Sequence, residues 1–168
     1  MTRTVSARER RLVEMQGFTG LSDDALAEVG PWLRLAPAVC MLWTAVATWQ
    51  ASAAALWALA PIAFLGAILP GHPFDVFYNH GLRRLTGTRA LPVYRAPRRT
   101  ACAVATLWLL GAGWAFHAGA SGLGYGLGYS LVAAAAVPVT TGFCIPSYFY
   151  GLVMGPPAGA RVAGAEAH

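Results

Sequence analysis

Apolar residues follow one another in long runs along this chain, and short polar segments separate the runs. Two runs, 33–50 and 52–70, are separated by a very short connector, and two more extend over 101–119 and 125–152. Each of the first three runs approaches the roughly 20 residues that an α-helix needs to cross about 30 Å of hydrocarbon. The pattern predicts an all-α membrane protein with four transmembrane helices in two hairpins.

The segments outside these runs divide into three parts. Residues 1–31 form a charged arm with two short predicted helices, in which Ser22 before two aspartates is typical of a helix N-cap. Residues 71–100 form a loop rich in arginine, and residues 155–168 form a tail that we expect to be flexible. The membrane domain is therefore expected over 32–154.

The fourth run is too long for an upright span and contains two prolines. Pro138 and Pro146 each remove a backbone N–H donor, so the helix is expected to tilt or to bend there. Because Pro146 disfavours a hydrogen bond to the carbonyl oxygen of Gly142, that carbonyl needs another partner. Thr140, Thr141 or a neighbouring helix is expected to satisfy the polar groups at this point.

The segment "GHPFDVFYNHGLRRLTG", residues 71–87, predicts a short amphipathic helix after the second span. Pro73 suits the first position of this helix, and Gly87 suits its end. Apolar side chains gather on one side of it, so we expect it to lie in the cytoplasmic membrane interface. The arginines of the loop that we expect to bind lipid head groups are Arg83, Arg84, Arg98 and Arg99.

Composition supports a membrane location. The chain of 168 residues is 57% hydrophobic and 11% charged, whereas soluble domains carry about 25% charged residues. The arm contains charged residues and no apolar core, so it does not read as a signal peptide. No basic stripe alternates with aromatic residues on a polar scaffold, and we therefore expect no nucleic-acid partner.

The distribution of arginine predicts the orientation. All positive side chains other than histidine are arginines, and they occur in the arm, at the adjoining edge of the first run (Arg34), in the loop 71–100 and in the tail. The two short connectors between paired spans carry none. The positive-inside rule then places both termini and the loop in the cytoplasm, in a multi-pass protein of the bacterial inner membrane.

Four polar residues of the loop are candidates for a metal site: His72, Asp75, Asn79 and His80. A helix beginning at His72 would place the first three on one face, with His80 roughly 80° away. Nitrogen and oxygen ligands of this kind suit a divalent metal. The alternatives are capping and hydrogen bonding, or substrate contact and proton transfer.

The three cysteines, Cys40, Cys102 and Cys144, include no close pair that indicates a disulfide or a zinc site. The predicted topology places all three in the cytoplasmic half of the membrane, with Cys102 and Cys144 at similar depth. "CIPS", 144–147, has the Cys-x-x-Ser form of monothiol redox sites, whose chemistry needs a cation or a helix N-terminus near the sulfur. The alternative is that these cysteines are inert and only pack.

Two further features are candidates for function. His117, near the outer end of the third run, is a candidate single ligand for haem or for the magnesium of a chlorophyll, and hydrogen bonding at the interface is the alternative. No cofactor is predicted. "GLGYGLGY", 122–129, forms small-xxx-small pairs that serve packing within the bundle, contact with a partner subunit, or a flexible turn. Its glycines are Gly122, Gly124, Gly126 and Gly128.

Two stretches carry a family resemblance: "ALWALAPIAFLGAILPGHPFDVFYNHGLR" and "TTGFCIPSYFYG". In them the chain resembles a family of small bacterial integral membrane proteins known as a domain of unknown function. The resemblance extends from about Trp32 to Tyr150, and the arm lies outside it. It implies four spans and carries no established activity, so no catalytic residue is transferred.

These observations favour a non-catalytic accessory subunit that docks in a larger bioenergetic or photosynthetic membrane complex. Small size, glycine-rich faces and the lack of an ionisable residue deep in a predicted span support that hypothesis. One alternative is a membrane thiol-redox or sulfur-relay protein that uses Cys144 and Cys102. The other is a transporter of a small solute or metal that uses the segment 72–80. The expected partners are membrane lipids and protein subunits, and no motif identifies an enzymatic reaction.

Overall fold

The computed structural model describes residues 5–155, and within them every regular element is helical. A 3₁₀ turn, Trp32–Arg34, leads into the third α-helix, and a π turn, Tyr78–Leu82, joins the fifth to the sixth. The predicted all-α fold is confirmed. The predicted tail from residue 156 onwards, with Arg161, lies outside the described residues, as does Arg3 of the arm. The helices are α1 (Ala7–Met15), α2 (Asp23–Val29), α3 (Leu35–Trp49), α4 (Ala53–Ile68), α5 (Pro73–Phe77), α6 (Arg83–Thr86), α7 (Ala96–His117), α8 (Ser121–Thr141) and α9 (Ile145–Met154).

Two helices are individually long and apolar enough to cross a membrane. They are α7, with 22 residues, and α8, with 21. The helices α3 and α4 have 15 and 16 residues, which is short of a full span. Each reaches the required length together with a neighbouring segment: α2 and Trp32–Trp49 meet at 47°, and α4 and Pro73–Thr86 meet at 79°. The described chain thus holds two to four candidate spans, as expected of a membrane protein, and the four-span arrangement stays a prediction.

The long helices pack closely because small residues lie at their contacts. Helix α7 packs along α4 and α8, and α3 packs along α8. A Cβ atom added to Gly128 of α8 would lie 2.3 Å from the Thr48 Oγ1 of α3. A Cβ on Gly113 of α7 would lie 2.5 Å from Nε1 of Trp57 in α4. These glycines let neighbouring backbones approach, as small residues do in membrane bundles.

The arm folds back onto one end of the bundle. The side chains of Ser6 and Ser22 cap α1 and α2 by accepting from backbone N–H groups. Apolar residues of both helices pack with residues between α6 and α7 into a hydrophobic core that is separate from the core between the long helices. The buried members of this core are Val13, Phe18, Leu26, Val29, Leu33, Tyr78, Leu91 and Tyr94. The arm therefore packs against the polar end of the membrane domain.

The fourth apolar run differs from its prediction. Helix α8 begins at Ser121 and continues through Pro138, and the chain breaks instead at Gly142, whose φ of 76° is left-handed. Pro146 lies in the first turn of α9, where a helix makes no use of the missing N–H donor. The glycine conformation and the start of α9 therefore produce the break, and Pro138 does not end α8.

Helix α7 begins earlier than expected, at Ala96 instead of residue 101. Pro97 occupies its first turn, which is a favoured position for proline. The early start places Arg98 and Arg99 within the helix instead of in an extended loop. The early start of α7 therefore determines where the side chains of Arg98 and Arg99 lie.

Candidate thiol site

All three cysteines of the chain line one cavity of about 140 Å³. Cys40 comes from α3, Cys102 from α7, and Cys144 from the break that precedes α9. His72 and Arg98 contribute polar groups to the same cavity, and most of its remaining wall is apolar. Residues far apart in the sequence thus form a thiol-lined chamber.

Cys102 of α7 interacts electrostatically with the thiols of both Cys40 and Cys144. The sulfur of Cys102 and the ring of His72 both press against Gly66 of α4. A Cβ on Gly66 would lie 3.1 Å from the Cys102 Sγ and 2.5 Å from the His72 Cδ2. Gly66 therefore leaves the space that the thiol and the imidazole occupy.

Arg98 is buried one helical turn before Cys102, with only 5% of its surface exposed. Its Nη1 donates to Oε1 of Gln16 at 2.5 Å, and its Nη2 donates to the carbonyl oxygen of Leu33 at 3.1 Å. The guanidinium also lies over the rings of Phe18 and Tyr94, at 5.9 Å and 5.4 Å from their centroids.

This burial contradicts the prediction that Arg98 binds lipid head groups, because its donors point into the protein. Within residues 5–155 no carboxylate lies within ion-pair distance of Arg98. Its hydrogen-bond acceptors Gln16 and Leu33 are neutral, and the buried Asp75 interacts with it electrostatically without forming an ion pair in the described chain. A thiolate in the adjoining cavity is an anion that this charge would stabilise.

Gln16 connects the arm to the break in the bundle. Its Nε2 donates to the carbonyl oxygen of Gly142 at 2.7 Å, while its Oε1 accepts from Arg98. The carbonyl that was expected to lose its helical partner is thus satisfied by the residue that caps the C-terminus of α1. The hydroxyls of Thr140 and Thr141 donate to carbonyls within α8, and the Thr141 Oγ1 also accepts from the backbone N–H of Phe143 at 3.1 Å, as expected at this break.

His72 caps α5 instead of belonging to it. Its Nδ1 accepts from the backbone N–H of Phe74 at 3.4 Å, so the hydrogen of a neutral ring is on Nε2. That Nε2 lies 3.8 Å from the Sγ of Cys40. Burial, aided by the charge of Arg98, lowers the pKa of His72 to about 4. The ring is therefore neutral near pH 7 and presents a donor to the Cys40 sulfur.

Asp75 shares this buried region. Its carboxyl group is hydrogen-bonded to the hydroxyl of Tyr94, and burial raises the pKa of Asp75 above its usual value. Burial likewise raises the pKa of Tyr94 well above its usual value. The pair is therefore a polar connection between α5 and the segment that precedes α7.

The other two members of the proposed metal set lie elsewhere. Asn79 accepts the backbone N–H of Leu91 on its Oδ1 at 2.9 Å. His80 is exposed, and its Nδ1 lies 2.9 Å from the carbonyl oxygen of Val76. In the described part of the chain, no three histidine, cysteine or acidic side chains are grouped to hold a metal ion. The four predicted residues thus do not form one metal site.

Cys144 occupies the N-cap position of α9. A thiolate there is favoured by the positive end of the helix dipole. The buried hydroxyl of Ser147 donates to the carbonyl oxygen of Pro97 at 3.1 Å. In the "CIPS" motif, the serine therefore fixes α9 against α7, and the cysteine faces the cavity.

The remaining predicted residues lie away from the cavity. His117 is exposed beside the ring of Trp57, with 5.3 Å between centroids. Arg99 donates from Nε and Nη2 to the carbonyl oxygens of Ala67 and Ile68, each at 2.7 Å. It thereby satisfies acceptors at the end of α4. Arg83 and Arg84 lie in α6, and Arg84 is exposed.

The glycines of the "GLGYGLGY" segment divide between two faces of α8. Gly124 and Gly128 contact Phe116 and Thr48, whereas the Cβ positions of Gly122 and Gly126 have no neighbour within 4 Å in the described chain. One pair therefore serves packing within the bundle. The other leaves a face of α8 open.

Residues 31–155 match the family described as a domain of unknown function, DUF4395. The chain belongs to this family. The matched region of the DUF4395 protein contains every cavity residue named above, and Gln16 lies outside it. Neither the curated proteins nor the solved structures contain a match to the chain. The resemblance found in the sequence is thus confirmed.

Sequence reasoning missed Gln16, Tyr94 and the buried role of Arg98. One local signal was available: Arg98 and Cys102 are four residues apart, which places them on one face of a helix that begins early enough. Pro97 marked that early start. Gln16 had no comparable signal, because its partners are remote in the sequence.

Proposed function

We propose that this protein is a membrane-embedded thiol protein that performs thiol–disulfide exchange with Cys144 and Cys102. The observation that supports this function is the convergence of all three cysteines on one cavity beside Arg98. Packing alone does not require three thiols from separate segments to share a chamber with an arginine that forms no ion pair with a carboxylate within residues 5–155. The DUF4395 family carries no activity that decides the question.

The exchange begins with the thiolate of Cys144 at the N-terminus of α9. It attacks a sulfur of a partner disulfide, R–S–S–R, and expels one RS⁻ as a mixed disulfide forms. The thiolate of Cys102 then attacks the Cys144 sulfur and expels the second RS⁻. The two cysteines become a disulfide, and the partner becomes two thiols that take up the two protons released. The reverse sequence reduces the cysteine pair.

The surrounding residues support this chemistry electrostatically. The guanidinium of Arg98 stabilises the thiolates that form in the apolar cavity, where burial otherwise disfavours charge. Neutral His72 donates toward the sulfur of Cys40. Cys40 lines the same cavity, and we therefore include it as a third thiol that can exchange with a Cys102–Cys144 disulfide.

Thiol trapping tests this proposal on the full chain in lipid nanodiscs. The protein is reduced, treated with the small disulfide 2,2′-dithiodipyridine, and then alkylated under denaturing conditions with a mass-tagged maleimide. We expect two thiols to be protected after oxidation, and peptide mass spectrometry to identify a Cys102–Cys144 disulfide. Reduction with dithiothreitol should restore all three tags.

Serine variants provide the matched controls. Cys102→Ser and Cys144→Ser should each abolish the protected pair, whereas Cys40→Ser should retain it. If all three thiols remain fully alkylated after oxidation at every reagent concentration, the exchange function is excluded. The result would then favour the accessory-subunit hypothesis.

The accessory-subunit role is the second candidate function. The observation that favours it is the open face of α8 at Gly122 and Gly126, where a transmembrane helix of another chain would pack closely. We expect Gly122→Leu with Gly126→Leu to release co-purified subunits in mild detergent if this role is correct. Unchanged migration of the native and doubly substituted proteins as small single species contradicts it. The transporter hypothesis stays a prediction.

A further inference from the structure

A second, larger cavity lies between the arm and the end of the bundle. It is a cleft of about 370 Å³, bordered by α1 on one side and by the end of α8 at Thr141 and Gly142 on the other. Its volume lies within the range of sites that hold small organic molecules, about 300 to 1,000 Å³. A folded protein partner does not fit such a space.

The charges around the cleft are mostly positive. Three arginines, Arg8, Arg34 and Arg98, line the cleft. Among the described residues that line it, Glu9 is the only acidic one. Clefts lined by one sign of charge concentrate ions of the opposite sign. The cleft therefore favours an anion.

Two of these guanidinium groups are held in place by neutral acceptors. Nη1 of Arg34 donates to the carbonyl oxygens of Val139 and Thr140, at 3.2 Å and 3.3 Å. Arg98 is held by Gln16 and by Leu33, as described above. Between residues 5 and 155, neither arginine forms an ion pair with a carboxylate. Their positive charges are thus fixed in position and not neutralised by an ion pair.

The cleft adjoins the thiol cavity. Pro37, Arg98 and Pro138 line both spaces. Gly142, in the wall of the cleft, precedes Cys144, in the wall of the cavity, by two positions. An anion that enters the cleft and approaches Arg98 therefore reaches the boundary of the cysteine chamber.

We propose that the cleft is the binding site for the exchange partner, and that this partner is a small anionic thiol or disulfide. This inference rests on the proposed function. It adds the substrate class: a small molecule with a sulfonate, carboxylate or similar anionic group beside its sulfur. The arginines bind the anionic group, and the sulfur is delivered toward Cys144. The exchange itself follows the balanced steps given above.

Charged methanethiosulfonates test the selectivity of the cleft. The probes are the anionic ethylsulfonate and the cationic ethyltrimethylammonium reagents, each of which transfers its thioalkyl group to a thiol and releases methanesulfinate. Modification of Cys144 is followed by mass spectrometry in nanodiscs, where both sides of the protein are accessible. Each rate is divided by the rate of the same reagent with free 2-mercaptoethanol. We expect the anionic reagent to be favoured by on the order of tenfold.

Two arginine variants define the origin of that preference. Arg34→Gln removes a charge from the cleft and should reduce the preference for the anionic reagent several-fold. Arg84→Gln removes an exposed charge from α6, outside the cleft, and should leave the preference unchanged. Equal effects of both variants, or a preference for the cationic reagent, would overturn the inference.

A reporter thiol separates this inference from the proposed function. Thr141→Cys is placed in the cleft of a chain in which Cys40, Cys102 and Cys144 are replaced by alanine. An anionic preference at this reporter that Arg34→Gln removes supports the cleft as an anion site. Its absence overturns the inference even if the native cysteines form a disulfide. Native cysteines that form no disulfide instead exclude the exchange function, whatever the reporter shows.

Discussion

At the scale of single residues, the neutral imidazole of His72 shows how burial controls charge at this site. The ring caps α5 through Nδ1 and faces the Cys40 sulfur through Nε2. Protonation would place a second positive charge near Arg98 in a buried region. The lowered pKa of about 4 follows from both effects.

This lowered pKa predicts a loss of stability in acid. The unfolded chain binds a proton on His72 below about pH 6.5, whereas the folded ring stays neutral until about pH 4. The unfolded state therefore gains protons first, and the free energy of unfolding falls as the pH decreases between these values. Between pH 7 and pH 5 the loss is about 2 kcal/mol.

Thermal unfolding of the detergent-solubilised protein checks this prediction. His72→Asn keeps an oxygen acceptor for the cap but does not titrate, so its midpoint should fall less between pH 7 and pH 5. Asp75 has a raised pKa and changes stability in the opposite direction, equally in both proteins. Identical pH profiles for the native protein and the variant would contradict the assignment.

The chemistry of Arg98 shows why this site could not be derived from the sequence. Among the arginines of the loop, the spacing to Cys102 and the preceding Pro97 are the local signals that distinguish Arg98, which is buried, from Arg84, which is exposed. The difference arises from Gln16 and Leu33, which supply acceptors 82 and 65 positions away. The relative depth of the cysteines was derivable from helix positions, but their shared cavity depends on how the helices cross.

At the scale of elements, the helix boundaries show which signals were informative. Ser22 begins α2 as its N-cap, and Gly87 ends α6, as their chemistry predicted. Pro138 does not end α8, because a helix tolerates one missing donor when packing holds it together. Gly142 breaks the chain instead, because it adopts the left-handed conformation that glycine allows at little cost.

Helix α8 offers a matched test of close packing. Gly128→Ala places a methyl group against Thr48, and this methyl would lie too close to the Thr48 side chain unless α3 and α8 move apart. We expect it to reduce the free energy of unfolding by about 1 to 3 kcal/mol. Gly126→Ala adds the same group on the open face and should be neutral or slightly stabilising, because alanine favours helices. Unfolding of both variants in the same detergent provides the measurement.

At the scale of the whole molecule, the arginine distribution predicts the orientation in the membrane. Arginines of the arm and of the loop lie at the same end of the structure, where α1, α7 and the end of α8 meet. This geometry agrees with placing both on one side of a membrane. The cleft would then face the cytoplasm.

Fusion of an alkaline phosphatase or a green fluorescent protein to the C-terminus checks this orientation. We expect fluorescence without phosphatase activity, because the C-terminus should be cytoplasmic. A control fusion in the connector after α7, at Gly119, should give the opposite result. Phosphatase activity from the C-terminal fusion would reverse the orientation and would place the cleft on the outer side.

The hydrogen bond between Gln16 and Arg98 also has a consequence for biosynthesis. The arm leaves the ribosome first, yet its partner in α7 follows 82 residues later. At a synthesis rate of about 5 to 20 residues per second, the nascent arm waits roughly 4 to 16 s for that partner. During this interval, the apolar side chains of α1 and α2 have no bundle end to cover them. Helices α3 and α4 therefore leave the ribosome before the arm can reach its final position.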